Sequence, residues 1–310
     1  MAIRRHLLKL LLGAAVCVAA LLVYRSLGRY TWDEIEESIQ SISGLRLAGA
    51  FCFVILSYFC LTMFDALAVR YAGKPLPYRE TALASFTALS IGHNVGMAAL
   101  SSGAVRYRFY SRWGLGAEEI GKVIIFCGVT VGLGLATLAG LALLADLGRA
   151  TDLLGMNRAA RALLGCACLA VPAGYLLLCA FLRRPLIVRS WRFEPPVLRL
   201  ALAQIGIGAL NFACVAAAIH QLLAAFTEAG YLQVATAYVT ANMAALISHV
   251  PGGLGVLEAT ILGILPGTEA IGAMVAFRVL YFFVPLMIGL PTLVIAEAYY
   301  RRQPSGHPAG

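Results

Sequence analysis

The sequence predicts an all-α polytopic membrane protein with about six full transmembrane helices and two re-entrant hairpins. Of its 310 residues, 61% are hydrophobic and only 13% are charged, a composition outside the range of soluble domains. Several apolar stretches exceed the roughly 20 residues that cross a bilayer. We expect a single integral membrane domain over residues 1–302 and a short disordered cytoplasmic tail over residues 303–310.

Six apolar segments have the length and continuous hydrophobicity of full spans. The first follows three basic residues, but no small-residue cleavage site comes after it, so we interpret it as a retained helix and not as a signal peptide. The predicted spans cover residues 6–24, 47–70, 119–145, 161–182, 197–226 and 270–299.

Two further segments are apolar but irregular. Residues 81–101 are rich in Ser, Thr, His and Asn, and residues 231–265 are interrupted at Pro251, Gly252, Gly253 and Gly255. A bilayer tolerates unwound backbone only where protein or a water-filled cavity satisfies it. We therefore predict that each segment enters the membrane and turns back, and their faint similarity suggests an inverted repeat of the kind found in transporters. Full crossing by one or both segments is the alternative.

The distribution of basic residues favours the two hairpins. With hairpins, 17 arginines and lysines lie on the cytoplasmic side and 6 outside, and Arg278 lies within a span. If both segments crossed, the sides would hold 11 and 12, and the positive-inside bias would vanish. We therefore expect both termini to lie in the cytoplasm. Because topology accounts for the net charge of +9, nucleic-acid binding is not expected.

The sequence offers no recognisable catalytic or metal-binding set. All eight cysteines lie in apolar segments, and none forms a Cys-x-x-Cys pair, so they are expected to be small buried hydrophobes. There is also no nucleophile–base–acid set and no phosphate-binding glycine loop before a lysine. We expect no metal, no cofactor and no enzymatic activity of the protein's own.

Charged side chains inside predicted membrane segments are the first functional candidates, because an ionisable group there is costly unless it is paired or hydrated. Glu258 and Arg278 both fall in the predicted outer half of the membrane, so we expect them to pair. Asp65 lies near the inner end of the second span. A direct pair between Asp65 and Arg278 is a less favoured alternative, as is snorkelling of Asp65 to the interface.

Residues at the ends of the hairpins form the second group of candidates. Arg106 and Arg108 alternate with aromatic residues, and guanidinium groups suit phosphate oxygens, so we expect a headgroup contact at the mouth of a cavity. An ordinary positive-inside loop is the alternative. His93, Asn94 and His249 lie at the predicted tips, where they either cap broken backbone or take part in proton-coupled transport.

Some residues are expected only to join helices. Gly128 and Gly132 form a Gly-x-x-x-Gly pair, which permits close packing, and Asn211 and Asn242 are expected to bridge helices.

Three motifs together resemble a known family. They are Val-Pro-Gly-Gly-Leu-Gly-Val-Leu-Glu at 250–258, Ser-Gly-Ala-Val-Arg-Tyr-Arg-Phe-Tyr-Ser at 102–111, and Phe-Arg-Val-Leu-Tyr-Phe-Phe-Val-Pro at 277–285. The chain resembles the lysylphosphatidylglycerol synthase transmembrane-region family from about residue 5 to residue 300. The resemblance implies a bacterial inner-membrane protein that moves, or helps to move, a lipid between leaflets. It also implies that four residues match polar positions that members keep in the membrane core: Asp65, Arg106, Glu258 and Arg278.

We expect the chain to differ from the bifunctional members of that family by lacking the cytoplasmic aminoacyl-transferase domain, so the resemblance does not imply synthesis of a lysyl-lipid. The leading hypothesis is an inner-membrane flippase or transport protein for a polar or anionic lipid. The alternative is a membrane-embedded lipid-modifying enzyme, or an accessory subunit of one, with His93 or His249 as its base. A small-ion transporter is a third hypothesis. As partners we expect a phospholipid or another polar lipid, with a separate lipid-synthesis enzyme and a second copy of the chain as further candidates.

Overall fold

A computed structural model describes residues 32–95, 98–145, 155–182, 186–188, 191–248, 250–265 and 270–302. The predicted span at 6–24 and the expected tail at 303–310 lie outside this part of the chain. The regular elements of the described part are helices, apart from two short antiparallel strands. In chain order its elements are α1 (Trp32–Ser41), α2 (Gly44–Tyr71), α3 (Tyr78–Val95), α4 (Ala98–Tyr110), α5 (Ala117–Ala145), α6 (Arg158–Phe181), β1 (Leu186–Val188), β2 (Trp191–Phe193), α7 (Leu198–Leu223), α8 (Tyr231–Ser248), a 3₁₀ turn (Pro251–Gly253), α9 (Val256–Ile264), α10 (Ile271–Arg278), a π-helical segment (Val279–Phe283) and α11 (Val284–Arg302).

Within the described residues, five helices are long and apolar enough to span a membrane. They are α2, α5, α6, α7 and the continuous helix Ile271–Tyr300. They coincide with five of the six predicted spans to within a few residues, because the length of an apolar run is fixed by the thickness of the bilayer. The polytopic all-α class is thereby confirmed.

The two irregular segments form helical hairpins, α3 with α4 and α8 with α9, whose arms pack against each other. Helix α4 has 13 residues and α9 has nine. At about 1.5 Å per residue they are roughly 20 Å and 13 Å long, which is short of the roughly 30 Å hydrocarbon core. The lengths of α4 and α9 fit the hairpin interpretation, since neither of these two arms is long enough to cross the membrane by itself.

The first hairpin is longer than predicted. The sequence suggested that it ended near residue 101, with a cytoplasmic loop beyond, but α4 continues helical to Tyr110. The reason lies at Gly103, which is buried and where an added Cβ would lie 3.1 Å from the Ile124 side chain. Residues 101–103 are therefore part of a helix, and Gly103 lets that helix pack closely on α5.

The packing repeats in two halves. Helix α2, the first hairpin and α5 form one half; α7, the second hairpin and the helix Ile271–Tyr300 form the other. Helices α2 and α7 pack along each other, α5 packs on α8 of the second hairpin, and α11 packs on α3 of the first hairpin. This reciprocal exchange is the packing that an internal repeat predicts.

Close contacts between helices are made by glycines other than those predicted. A Cβ at Gly208 of α7 would lie 2.7 Å from the carbonyl oxygen of Thr130 and 3.2 Å from Cα of Gly134, both in α5. By contrast, no atom of the described residues lies within 4 Å of a Cβ added at Gly128 or Gly132. Among the described helices, the Gly-x-x-x-Gly pair therefore makes no close contact, because the spacing cannot tell which face of α5 meets a given neighbour.

Helix α6 lies at the edge of the bundle. Only 11% of its most apolar stretch is buried. Helix α6 approaches α5 through Gly140 and Gly165, where a Cβ added at Gly140 would lie 2.9 Å from the Gly165 carbonyl oxygen. The two repeated halves therefore form the centre of the described structure, and α6 flanks them.

Candidate functional site

The break in the second hairpin depends on glycines. Gly252, Gly253 and Gly255 have φ angles of 61°, 59° and 78°, a left-handed conformation that L side chains rarely adopt. Helix α9 starts again at Val256, and the Glu258 carboxylate accepts a hydrogen bond from the backbone N–H of Gly255 at 2.9 Å. Glu258 thus caps the new helix on the far side of the unwound turn.

Arg278 holds this break in place. Its Nε donates to Oε1 of Glu258, Nη1 donates to the Gly252 carbonyl oxygen at 2.9 Å, and Nη2 donates to that of Gly253 at 3.1 Å. The guanidinium also lies 5.1 Å from the centroid of the Phe282 ring. The side chain is buried, so the arginine neutralises a carboxylate and satisfies two carbonyls that the broken helix leaves without partners. The predicted pairing of Glu258 with Arg278 is confirmed.

The tip of the first hairpin meets the second hairpin and the last span. An added Cβ on Gly252 would lie 3.4 Å from the carbonyl oxygen of His93. The amide of Asn94 donates to the Ser90 carbonyl oxygen at 2.8 Å and to the Phe282 carbonyl oxygen at 3.1 Å. Both His93 and Asn94 therefore lie at the tip, as predicted, and Asn94 caps helical backbone there.

The carbonyl oxygens of Tyr281 and Phe282 in the last span accept hydrogen bonds from side chains of other helices, and the local structure of the span explains why they are available. Residue 285 is proline and has no N–H to donate to the carbonyl of Tyr281, and the π-helical segment Val279–Phe283 interrupts the regular α-helical pattern. The Tyr281 carbonyl oxygen accepts from the Tyr58 hydroxyl at 3.0 Å. Side chains from α2 and α3 thus replace hydrogen bonds that a regular helix would make within itself.

The ring of His93 stacks on that of Tyr281, with centroids 5.8 Å apart and planes at 14°. Its Nδ1 is buried and has no hydrogen-bond partner in the part of the chain that the structure describes. His249, the corresponding candidate on the second hairpin, lies outside the described residues, and of Pro251 only the backbone is described.

Asp65 and Arg106 form the second buried ion pair. Nε and Nη2 of Arg106 donate to the two carboxylate oxygens of Asp65 at 2.8 and 2.7 Å. The Tyr110 hydroxyl also donates to Asp65 at 2.7 Å, and Nη1 of Arg106 donates to the Ser102 hydroxyl at 2.9 Å. Asp65 is 0% exposed and Arg106 3% exposed.

This arrangement corrects two expectations. Arg106 does not lie in a cytoplasmic loop where it would contact a headgroup. It lies on α4 inside the bundle, where its guanidinium is paired with Asp65. Asp65 neither pairs with Arg278 nor snorkels to the interface. This pair could not be predicted from the sequence. Its partners are 41 residues apart along the chain, and the distance between them in space depends on how far α4 extends.

Arg108 differs from Arg106, because it lies at the end of the hairpin beside the end of the last span. Its Nη2 lies 3.4 Å from Oε1 of Glu297, and Nη2 of Arg112 lies 2.7 Å from Oε2 of the same carboxylate. We call these three residues the arginine clasp. Arg112 and Glu297 were not among the residues predicted from sequence; the basic run at 106–112 and a single carboxylate near the end of the last span were the available signals.

A further polar contact joins the two halves where α2 packs on α7. The Ser57 hydroxyl of α2 donates to the Asn211 side chain of α7 at 2.7 Å, so the predicted bridging by Asn211 is confirmed. Asn242 instead donates to the Tyr238 hydroxyl one turn back in its own helix, at 3.1 Å, and its predicted bridging was wrong. No group of three or more His, Cys, Asp or Glu among the described residues could hold a metal ion.

Two helical hairpins that meet beside an ion pair, packed among apolar spans, define a class of polytopic membrane protein in which each half of a repeat contributes one hairpin. The model of the lysylphosphatidylglycerol synthase transmembrane region matches residues 7–289. The chain therefore belongs to the lysylphosphatidylglycerol synthase transmembrane-region family.

Two relatives match over nearly their whole length. An uncharacterized protein of Synechocystis sp., slr0712, is 32% identical over 304 residues, which cover 95% of this chain and 94% of the relative. The inner membrane protein YbhN of Escherichia coli is 30% identical over 292 residues, which cover 92% of this chain and 90% of the relative.

Proposed function

We propose that this protein moves a polar or anionic lipid between the leaflets of a bacterial inner membrane. Its family is named for the membrane region of a lipid synthase, and one relative is named as an inner membrane protein. In this proposal both termini are cytoplasmic, a phospholipid or another polar lipid is the ligand, and a separate enzyme synthesises that lipid.

The observation that carries the proposal is the meeting of the two hairpin tips at Arg278. Arg278 binds the unwound turn at Gly252 and the carboxylate of Glu258, and Gly252 in turn lies against the end of α3 at His93. Unwound backbone in a membrane is stable only with such partners. When the tips separate, these polar groups line a route for a headgroup, and the acyl chains remain in the surrounding lipid.

The buried ion pairs have different roles in this mechanism. The pair Asp65–Arg106 joins the first hairpin to α2 and stays intact. The pair Glu258–Arg278 lies at the tip contact and is exchanged for contacts with the headgroup. Arg278 can release Gly252 and Gly253 only if the lipid offers acceptors of comparable strength, which a phosphate does.

The test is lipid exchange in proteoliposomes that contain lipids with a fluorescent headgroup. We expect Arg278→Gln to slow exchange about tenfold or more, since hydrogen bonds to a charged group contribute about 1.5–3 kcal/mol and about 1.4 kcal/mol corresponds to tenfold. Arg79 is exposed, so Arg79→Gln serves as the control and should exchange lipid at the unsubstituted rate.

Folding must be separated from function in this test. The double variant Glu258→Gln/Arg278→Gln leaves no unpaired buried charge, so it should remain monodisperse in detergent while exchange stays slow. Exchange at the unsubstituted rate in a folded double variant would remove Glu258 and Arg278 from the mechanism. Chemical conversion of the lipid by the purified protein would instead support the enzymatic alternative.

A further inference from the structure

The arginine clasp has a charge balance that the buried ion pairs do not have. Asp65–Arg106 and Glu258–Arg278 each join one acid to one base, whereas Glu297 faces two arginines. The Glu297 carboxylate is shared by Arg112 at 2.7 Å and Arg108 at 3.4 Å. The second contact is long for a charged hydrogen bond. The three side chains thus carry one net positive charge.

The clasp is accessible from outside the bundle. The side chains of Arg108 and Arg112 are 17% and 30% exposed, whereas those of Arg106 and Arg278 are 4% and 5% exposed. The Glu297 side chain is 12% exposed. Within the described residues, Arg112 makes one hydrogen bond, through Nη2 to Glu297, so further donors of its guanidinium can be offered to a ligand. An anion approaching this place meets both excess positive charge and available N–H groups.

The aromatic residues around the clasp are typical of the depth of lipid headgroups. The Arg112 guanidinium lies 5.3 Å from the centroid of the Tyr300 ring, and the Trp113 indole N–H donates to the Tyr300 hydroxyl at 3.2 Å. Tyr107 on the same hairpin arm is 47% exposed. Tyr and Trp concentrate at the boundary between hydrocarbon and water, where phosphate groups of phospholipids lie.

We propose that Arg108 and Arg112 bind the phosphate of an anionic phospholipid, and that Glu297 competes with that phosphate for the two arginines. The proposal deepens the transport function by naming its substrate class, and it rests on that function only for the steps after binding. Phosphate has more acceptor oxygens than a carboxylate and suits the guanidinium fork. The competing carboxylate keeps binding weak enough for the lipid to leave again.

The competition between Glu297 and the phosphate also couples lipid binding to the packing of the first hairpin. Arg108 belongs to α4 and Glu297 to α11, so a phosphate that takes over the arginines removes a link between the first hairpin and the last span. The bond of Trp113 to Tyr300 is a second link in the clasp region, and it does not involve the arginines. Binding of lipid at the clasp therefore loosens, without fully releasing, the hairpin from the helix that carries Arg278 at its other end.

The test uses Trp113 as a probe, in a protein that carries Trp32→Phe and Trp191→Phe, which leaves Trp113 as the one tryptophan of the chain. Phosphatidylglycerol with brominated chains is titrated into protein in zwitterionic micelles, and quenching of Trp113 is measured. We expect Arg112→Gln to weaken binding about fivefold and Glu297→Gln to strengthen it about threefold, in proportion to the loss or gain of one partly exposed charge. Arg79→Gln should leave binding unchanged.

Opposite effects of the two substitutions distinguish binding from damage, because a loss of structure would weaken binding in both. The proposal is overturned if Glu297→Gln fails to strengthen binding, or if brominated phosphatidylcholine quenches equally. Displacement by inorganic phosphate at the same concentration as the lipid would show a soluble ligand and would also overturn it. If phosphatidylglycerol binds as expected but is not exchanged in proteoliposomes, the site stands and the transport function fails.

Discussion

Asp65 and Arg106 show how this chain keeps charge inside an apolar bundle. Arg106 donates a hydrogen bond to each carboxylate oxygen of Asp65. Arg106 also donates to the Ser102 hydroxyl, and Asp65 also accepts from the Tyr110 hydroxyl. A buried pair repays its desolvation only when its geometry is good and its remaining polar atoms are satisfied. Both conditions hold here, so the cost of the pair appears only when one partner is removed.

We therefore predict that Arg106→Gln destabilises the protein by about 3–5 kcal/mol, since it leaves Asp65 buried without a counter-charge. The double variant Asp65→Asn/Arg106→Gln should recover much of that loss. Thermal unfolding in detergent measures both. The exposed pair of Lys122 with Glu118, 2.8 Å apart, provides the control: Lys122→Gln should cost less than about 1 kcal/mol. A double variant as unstable as the sum of the two single variants would show that Asp65 and Arg106 are not coupled.

At the scale of elements, the approach of two helices is decided by where small residues face each other. Helix α7 carries Gly206 and Gly208, two residues apart in the same helix. An added Cβ at Gly208 would collide with the backbone of α5, whereas at Gly206 no atom of the described part of the chain lies within 4 Å. Backbone cannot move aside as the end of a flexible side chain can, so the two positions differ sharply in tolerance.

The prediction at this scale is that Gly208→Ala lowers stability by about 1–3 kcal/mol, the range for overpacking of a tight contact. Gly206→Ala should be neutral or slightly stabilising, because alanine has the higher helix propensity. Unfolding temperatures of the purified variants in the same detergent compare them directly. Equal unfolding temperatures for the two alanine variants would contradict the close contact between α5 and α7.

At the scale of the whole molecule, the two halves exchange their last helices: α5 packs on the second hairpin and α11 packs on the first. Each hairpin is thus held by a span of the other half. A movement of one half against the other must change both contacts together, which is the geometry that alternating access requires.

The topology predicts on which side of the membrane each hairpin begins and ends. In a protein whose native cysteines are replaced, Ser111→Cys after the first hairpin and Glu228→Cys before the second should react with a membrane-impermeant maleimide from opposite sides. Both positions are exposed. We expect Ser111→Cys to react only from the cytoplasmic face, following the positive-inside rule. A permeant maleimide should label both, and labelling of both by the impermeant reagent from one face would exclude opposed hairpins.

Much of the site could be anticipated from sequence because some signals are local. The Pro-Gly-Gly break predicted an interrupted helix, and the depths of Glu258 and Arg278, inferred by counting residues along two apolar runs, predicted their pairing. The partner of Asp65 could not be found this way, because it depended on whether residues 103–110 were loop or helix. Ser and Gly favour both a turn and a close helix contact, and only the neighbouring α5 distinguishes them.

The sequence by itself determined the membrane class, five of the described spans and the two interruptions, because bilayer thickness and the cost of unpaired backbone act on each segment separately. The tertiary structure alone decided which glycines touch, which acid each arginine neutralises, and that Glu297 is shared by two of them. Those outcomes depend on the rotation and depth of one helix against another, and the pattern along a single helix does not contain that information.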